Sequence, residues 1–112
     1  MADIVSASDL KAKIDAGEDF VLLNALGAEQ FAQMHIPGSV NIPTDEVGKR
    51  AEKEIPEKNK LIVTYCASEL CKASPQAAST LESMGYTNVK EFKGGLKGWE
   101  GAGYKLEGTD AS

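Results

Sequence analysis

The chain has 112 residues, seventeen acidic and twelve basic, for a net charge of −5, which bounds it to one domain spanning 1–112 with room for a single core. An acidic balance of that size opposes the phosphate neutralisation on which general nucleic-acid binding depends, so no nucleic-acid partner is expected. With 42% hydrophobic and 26% charged residues the composition is that of a chain that folds, and no apolar run reaches membrane-spanning length.

The start, Met1-Ala2-Asp3, has neither the basic residues nor the apolar core of a signal peptide, and a cytoplasmic location is expected. Ser6-Ala7-Ser8-Asp9 reads as a capping box opening a short helix, with Leu10 and Ile14 at helical spacing and Gly17 as its stop. Residues 20–23, Phe-Val-Leu-Leu, form a continuous apolar run of the kind found in a strand buried on both faces. A short helix is predicted over 28–34, ended by the turn His35-Ile36-Pro37-Gly38, and a second strand over 39–42. Thr44-Asp45-Glu46 predicts a capped helix reaching toward Glu54, and residues 56–59 are a polar connection.

Residues 61–65 give the central strand, which delivers Cys66 into the loop Cys66-Ala67-Ser68-Glu69-Leu70-Cys71-Lys72-Ala73-Ser74. Ser74-Pro75 predicts the next helix, over 75–84, because Ser is a good N-cap and Pro is preorganised for the first helical position. Gly85 closes it as a left-handed cap. A strand over 89–92 follows, and Gly94-Gly95 turns the chain into a last helix over 96–102 with Trp99 on its inner side. Strands alternating with helices predict an α/β fold, a mostly parallel central sheet with helices on both faces. Ligands of such sheets sit outside the carboxyl ends of the strands, where Cys66 lies. Loop N–H groups and the positive end of a helix dipole both favour an anion there, so Cys66 is the candidate nucleophile, as a thiolate. Two cysteines with four residues between them are not a disulfide framework, and no Cys/His pair completes a zinc site, so no metal is expected and both are taken as thiols.

Over nearly its whole length the chain resembles the single-domain rhodanese family. The resemblance is carried by residues 20–23, Glu29-Gln30-Phe31, the segment His35-Ile36-Pro37-Gly38-Ser39-Val40-Asn41-Ile42-Pro43, the strand ending in Cys66, and Gly94-Gly95-Leu96 with Gly98-Trp99 and Ala102-Gly103-Tyr104. It implies a rhodanese-like fold and a sulfurtransferase of the thiosulfate sulfurtransferase class, in which Cys66 carries sulfur as a persulfide. Cys66 is then the catalytic residue, and Ala67, Ser68, Glu69, Leu70, Cys71 and Lys72 hold the substrate. The donor is a small sulfur-containing anion such as thiosulfate, and the acceptor cyanide, a thiol or a protein. The resemblance implies no metal or organic cofactor; the sequence does not identify the oligomeric state, and a monomer is the expectation.

The chain departs from the family pattern in three places. Asn24 and Leu26 stand where the family commonly has an Asp and an Arg, so that ion pair is expected to be missing. The cysteine loop is about two residues longer than the common form, counted from Cys66 to Ala77-Ala78. It lacks the usual arginine and glycine and carries Glu69, Cys71 and one cation, Lys72. A unit charge at ~4 Å is worth about 4 kcal/mol at an effective dielectric of ~20, so Glu69 turned inward outweighs the 0.3–1 kcal/mol (approximately) of the helix end, and turned outward hardly matters.

Several residues carry two readings. Cys71 is either a resolving thiol that attacks the Cys66 persulfide, expels hydrosulfide and leaves a disulfide, or a small apolar residue packed under the loop. Lys72 is either an anion contact or a solvated loop lysine. His35, the single histidine, is read as scaffold rather than as a base, and Trp99 and Tyr104 as core. Two functional alternatives stand beside sulfur transfer. The related fold of Cdc25-type phosphatases and arsenate reductases uses Cys, five residues, then Arg, where this chain has Cys66, five residues, then Lys72; an ammonium lacks the bidentate clamp of a guanidinium. The other is a non-catalytic redox or protein-interaction module with a Cys66–Cys71 switch.

Overall fold

A computed structural model describes residues 3–111; of the N-terminal reading, Met1 and Ala2 lie outside the described residues. In chain order the elements are strand β1 (Asp3–Ile4), helix α1 (Ala7–Asp15), β2 (Val21–Asn24), α2 (Ala28–Gln33), β3 (Val40–Asn41), a 3-10 turn (Thr44–Glu46), α3 (Val47–Glu54), β4 (Ile62–Tyr65), α4 (Ala73–Ser83), β5 (Val89–Glu91) and α5 (Gly95–Gly101). The strands form one sheet in the order β1-β5-β4-β2-β3, and every pairing in it is parallel. The α/β architecture expected from the alternation of apolar runs and helical patterns is present, and β4, which leads to Cys66, lies at its centre.

Both faces of the sheet are packed, which is why β2 and β4 read as largely apolar runs. Leu23 and Ile62 face one core with Val47, Ala51, Ala77, Ala78 and Leu81 of α3 and α4. Leu22, Val63 and Tyr65 face the other with Leu10, Phe92 and Trp99. Strand pleating sends successive side chains to opposite faces, so four residues of β4 serve two cores. Trp99 donates its indole N–H to the Lys105 carbonyl at 2.9 Å and packs against Tyr104, the two rings tilted with centroids 4.7 Å apart.

Three details differ from the sequence expectations. Ser74 does not cap the helix after the cysteine loop: Lys72 occupies the N-cap without a side-chain hydrogen bond, and Ser74 lies buried in the first turn. Pro75 is third in the helix rather than first, a position still free of strain because first-turn N–H groups have no acceptor within the helix. Thr44 does not cap either; its segment winds as a 3-10 turn, and its hydroxyl is buried with no partner. Finally, β1 is too short and too exposed to leave a sequence signal. By contrast Ser6 does cap α1, accepting from the Asp9 N–H at 3.1 Å, and Gly85 turns at φ +96° as the left-handed residue after α4.

The missing Asp/Arg pair is replaced by a neutral network. Asn24 Oδ1 accepts from the Leu26 N–H at 2.8 Å, while its Nδ2 donates to the Tyr65 hydroxyl at 3.0 Å. The same hydroxyl accepts from the Ile36 N–H at 2.9 Å and lies 2.8 Å from Ser39 Oγ. Because Ser39 gives its own hydrogen to the Ile36 carbonyl, Tyr65 is the donor in that last contact. One phenol thus ties β4, β2 and the turn before β3 at the base of the cysteine loop. Tyr65→Phe leaves the Ile36 and Asn24 donors buried and unpaired, and is expected to cost about 1–3 kcal/mol in urea unfolding at neutral pH. Burial, partly offset by the Ser39 and Asn24 hydrogen bonds, raises the Tyr65 pKa above its ordinary 10.0. The fold therefore favours the protonated phenol. Its contribution is full below pH 10.0 and is lost as pH rises through the folded-state value, so the deficit of the Phe variant narrows in strongly alkaline solution.

Candidate active site

Cys66 follows the last residue of β4, at the carboxyl end of the sheet, and is 1% exposed. Its loop is clamped from the far side by α5. The N–H groups of Leu96 and Lys97 donate to the Cys66 and Ala67 carbonyls at 2.9 and 3.0 Å. So close an approach demands glycine: Gly95 has φ +63°, and a Cβ there would stand 2.8 Å from both the Ala67 carbonyl carbon and the Ser68 nitrogen and nearer still to the Cys66 oxygen. The Gly94-Gly95 pair, read from the sequence as a turn, is therefore also the seat of the cysteine loop.

Cys66 and Cys71 are joined by a disulfide, with Cα atoms 6.4 Å apart. The sequence reading took both as thiols in a reducing compartment and held open a Cys71 that pairs with Cys66; the curled loop brings their side chains within bonding reach. In this oxidised form the loop is closed on itself, since the Cys71 N–H donates to the Ser68 carbonyl at 3.1 Å and the Leu70 N–H to Ser68 Oγ at 3.4 Å. Two of the N–H groups expected to cradle an anion are thus engaged inside the loop. Glu69 and Lys72 are exposed, so the carboxylate faces solvent and is screened. Leu70, at the loop tip, is 86% exposed.

Cys71, Glu69 and Lys72 line one side of a cleft of about 600 Å³ whose other walls include Pro75, Glu91 and Lys93. Glu91 was missed by the sequence reading. It ends β5 directly across from Thr64 of β4 and is 7% exposed. Ser74 donates its hydroxyl to Glu91 Oε1 at 3.3 Å, and Cys66 Sγ lies 3.4 Å from the same oxygen of Ser74. A carboxylate inside an apolar strand pattern was the one available signal. His35 belongs to the scaffold: Nδ1 meets the Phe31 carbonyl at 2.8 Å, the ring stacks on Phe31, and Nε2 lies 3.6 Å from Glu107. Among the described residues no cluster of three or more His, Cys, Asp or Glu is placed to hold a metal ion, and no helix is long and apolar enough to cross a membrane.

The family model for the rhodanese-like domain matches residues 6–102. The chain belongs to the rhodanese-like domain family. Its similarity to thiosulfate sulfurtransferase PspE of Escherichia coli is 44% identity over 69 residues, 62% of this chain and 64% of that protein. To the putative sulfur carrier protein YrkF of Bacillus subtilis it is 33% over 97 residues, 87% of this chain and half of that protein. The chain thus spans less than two thirds of the length of either relative. The crystal structure of BH2092 protein from Bacillus halodurans superposes with a TM-score of 0.90 at 29% identity, over 98% of this chain and 80% of that one. As a rhodanese-like domain, the chain places its cysteine loop at the carboxyl end of the central strand, with α5 beneath it. Gly95→Ala is expected to cost at least about 2 kcal/mol, from a strained positive φ and a backbone collision, and to loosen the loop. Thermal unfolding measures the loss, and hydrogen exchange of the Leu96 and Lys97 amides locates it.

Proposed function

We propose that this domain moves sulfane sulfur, as a sulfurtransferase or sulfur carrier, through a persulfide on Cys66. The observation that carries the reading is the placement of Cys66: the end of the central strand, in a short loop opening into α4, held by a glycine that only a close backbone approach requires. Family membership and the sulfurtransferase and sulfur-carrier relatives support it.

In the reduced protein the Cys66 thiolate attacks the outer sulfur of a donor such as thiosulfate. The donor's sulfur–sulfur bond breaks, its electron pair leaves on sulfite, and Cys66 holds an anionic persulfide. Cyanide, a thiol or a protein nucleophile then attacks the outer sulfur, and Cys66 leaves as thiolate. Reduction of the disulfide frees the loop N–H groups to face that anion, and Lys72 adds a cation at the rim of the cleft. The exposed Leu70 gives a protein acceptor an apolar foothold beside the cysteine. The chemistry calls on no metal or organic cofactor, and the cytoplasm, being reducing, suits a thiol nucleophile.

A second reading is favoured by the disulfide itself. Cys71 as thiolate attacks the inner sulfur of the protonated Cys66 persulfide, the outer sulfur departs with its proton as hydrosulfide, and the Cys66–Cys71 disulfide remains until a dithiol reductant opens it. The phosphatase or arsenate reductase reading gains nothing comparable, since the cation at the cleft rim is the exposed Lys72.

Steady-state transfer of sulfur from thiosulfate to cyanide tests the main reading. Cys66→Ser is expected to lower the rate by about 10³-fold or more, and Cys71→Ser to leave it within severalfold of wild type. A Cys66→Ser protein that still produces thiocyanate at the wild-type rate overturns it. For the second reading, protein preloaded with one sulfane sulfur and kept free of added thiol is expected to release sulfide, whereas Cys71→Ser retains its sulfur.

A further inference from the structure

Beneath Cys66 runs a short polar line through an otherwise apolar face. Ser74, 2% exposed, touches Cys66 Sγ at 3.4 Å and donates to Glu91 Oε1 at 3.3 Å. The Thr64 hydroxyl donates to the Ser74 carbonyl at 3.1 Å and fixes that turn of α4 against the sheet. Glu91 makes no ion pair among the described residues, and the Ser74 hydroxyl donates directly to its carboxylate.

A hydroxyl has one hydrogen to give. In the disulfide the Cys66 sulfur carries no hydrogen, and Ser74 spends its own on Glu91. Once reduced, a Cys66 thiol completes the same direction: S–H donates to Ser74 Oγ, and Ser74 O–H to the carboxylate. A thiolate needs the reverse. Ser74 must then donate to sulfur, and Glu91 must supply a hydrogen to Ser74. A thiolate and a carboxylate at the two ends of one hydroxyl cannot both be satisfied, and they repel each other in a poorly solvated place.

We propose that Glu91, acting through the Ser74 hydroxyl, is the positioning residue that receives the Cys66 proton, so that forming the nucleophile and protonating Glu91 are one event. The inference rests on the reading of Cys66 as the sulfur-carrying nucleophile. The Cys66 S–H bond breaks and its proton passes to the Ser74 oxygen; the Ser74 O–H bond breaks and its proton passes to Glu91 Oε1. Sulfur keeps the electron pair, and the net charge of the trio is unchanged. Glu91 opens on the cleft, where its proton exchanges with solvent. The charged groups facing it there are Glu69 of the loop, Lys72 at the start of α4, Glu82 of α4 and Lys93 after β5, while β1 and β4 present the uncharged Ile4 and Thr64.

The test uses the full chain with Cys71→Ser, so that Cys66 is the only thiol. Glu91→Gln keeps a donor toward Ser74 and removes the charge, imitating the protonated carboxyl. It is expected to lower the pH midpoint of the ultraviolet thiolate absorbance and to raise iodoacetamide alkylation in mildly acid solution by about tenfold. The same change made together with Ser74→Ala is expected to have less than half that effect, because the line is already broken. An unchanged or raised midpoint in Glu91→Gln overturns the proposal. A measurement that needs no substitution at Glu91 guards against a misfolded variant: at the pH where the thiolate absorbance first appears, infrared spectra should show a protonated-carboxyl band that the Cys66→Ser counterpart lacks. Thiolate appearing without that band also overturns it. Neither readout involves sulfur transfer, so failure of the persulfide reading would show separately, as a Cys66 that ionises as described and never takes up sulfur.

Discussion

The constraint on which the site depends is the contact between two backbones, α5 at Gly95 and the loop at Cys66 and Ala67. Two hydrogen bonds from the Leu96 and Lys97 N–H groups seize the first two carbonyls of the loop, and the absence of a side chain at Gly95 lets the helix come that near. The first turn of the loop is thereby fixed before any substrate arrives. A cysteine held by its own backbone keeps its geometry through changes at its sulfur, which the proposed chemistry requires. What remains free is the tip, Glu69 and Leu70, which is exposed.

The second organising element is Tyr65. Its hydroxyl collects Asn24, Ile36 and Ser39 into one satisfied network of neutral groups. A neutral network spares the domain the desolvation of two charges, and its hydrogen bonds leave no donor unpaired. Charge is concentrated instead on the other face of the sheet, where Glu91 stands below the cysteine. Tyr65 and Glu91 lie on opposite sides of the strand layer, so the scaffold and the chemistry of the cysteine are supported by separate sets of residues.

Much of this was legible in the sequence. The apolar runs at 20–23 and 61–65 located the inner strands because parallel strands packed on both faces need nothing else. Ser6 and Gly85 marked helix ends through local backbone chemistry, and Cys66 at a strand end identified the loop. The rest depended on distant partners. Ser74 and Pro75 look like a cap and a first turn, yet the Ser74 hydroxyl is claimed by Cys66 and Glu91, and the helix begins earlier. Glu91 was lost within a strand pattern, since a single carboxylate there reads as an edge residue until the sheet order places it beside β4. The pairing of Cys66 with Cys71 stood in the sequence as one of two readings of Cys71, and the curl of the loop decides between them.

The proposed function has Cys66 carry one atom of sulfur, and intact-mass spectrometry of the reduced protein after incubation with thiosulfate tests that proposal most directly. The account predicts a gain of one sulfur atom, mapped by peptide analysis to Cys66 and removed by cyanide. A protein that gains no sulfur from thiosulfate or from a small-molecule persulfide, while losing two hydrogens under mild oxidant to the Cys66–Cys71 disulfide, would contradict it and leave a dithiol switch in its place.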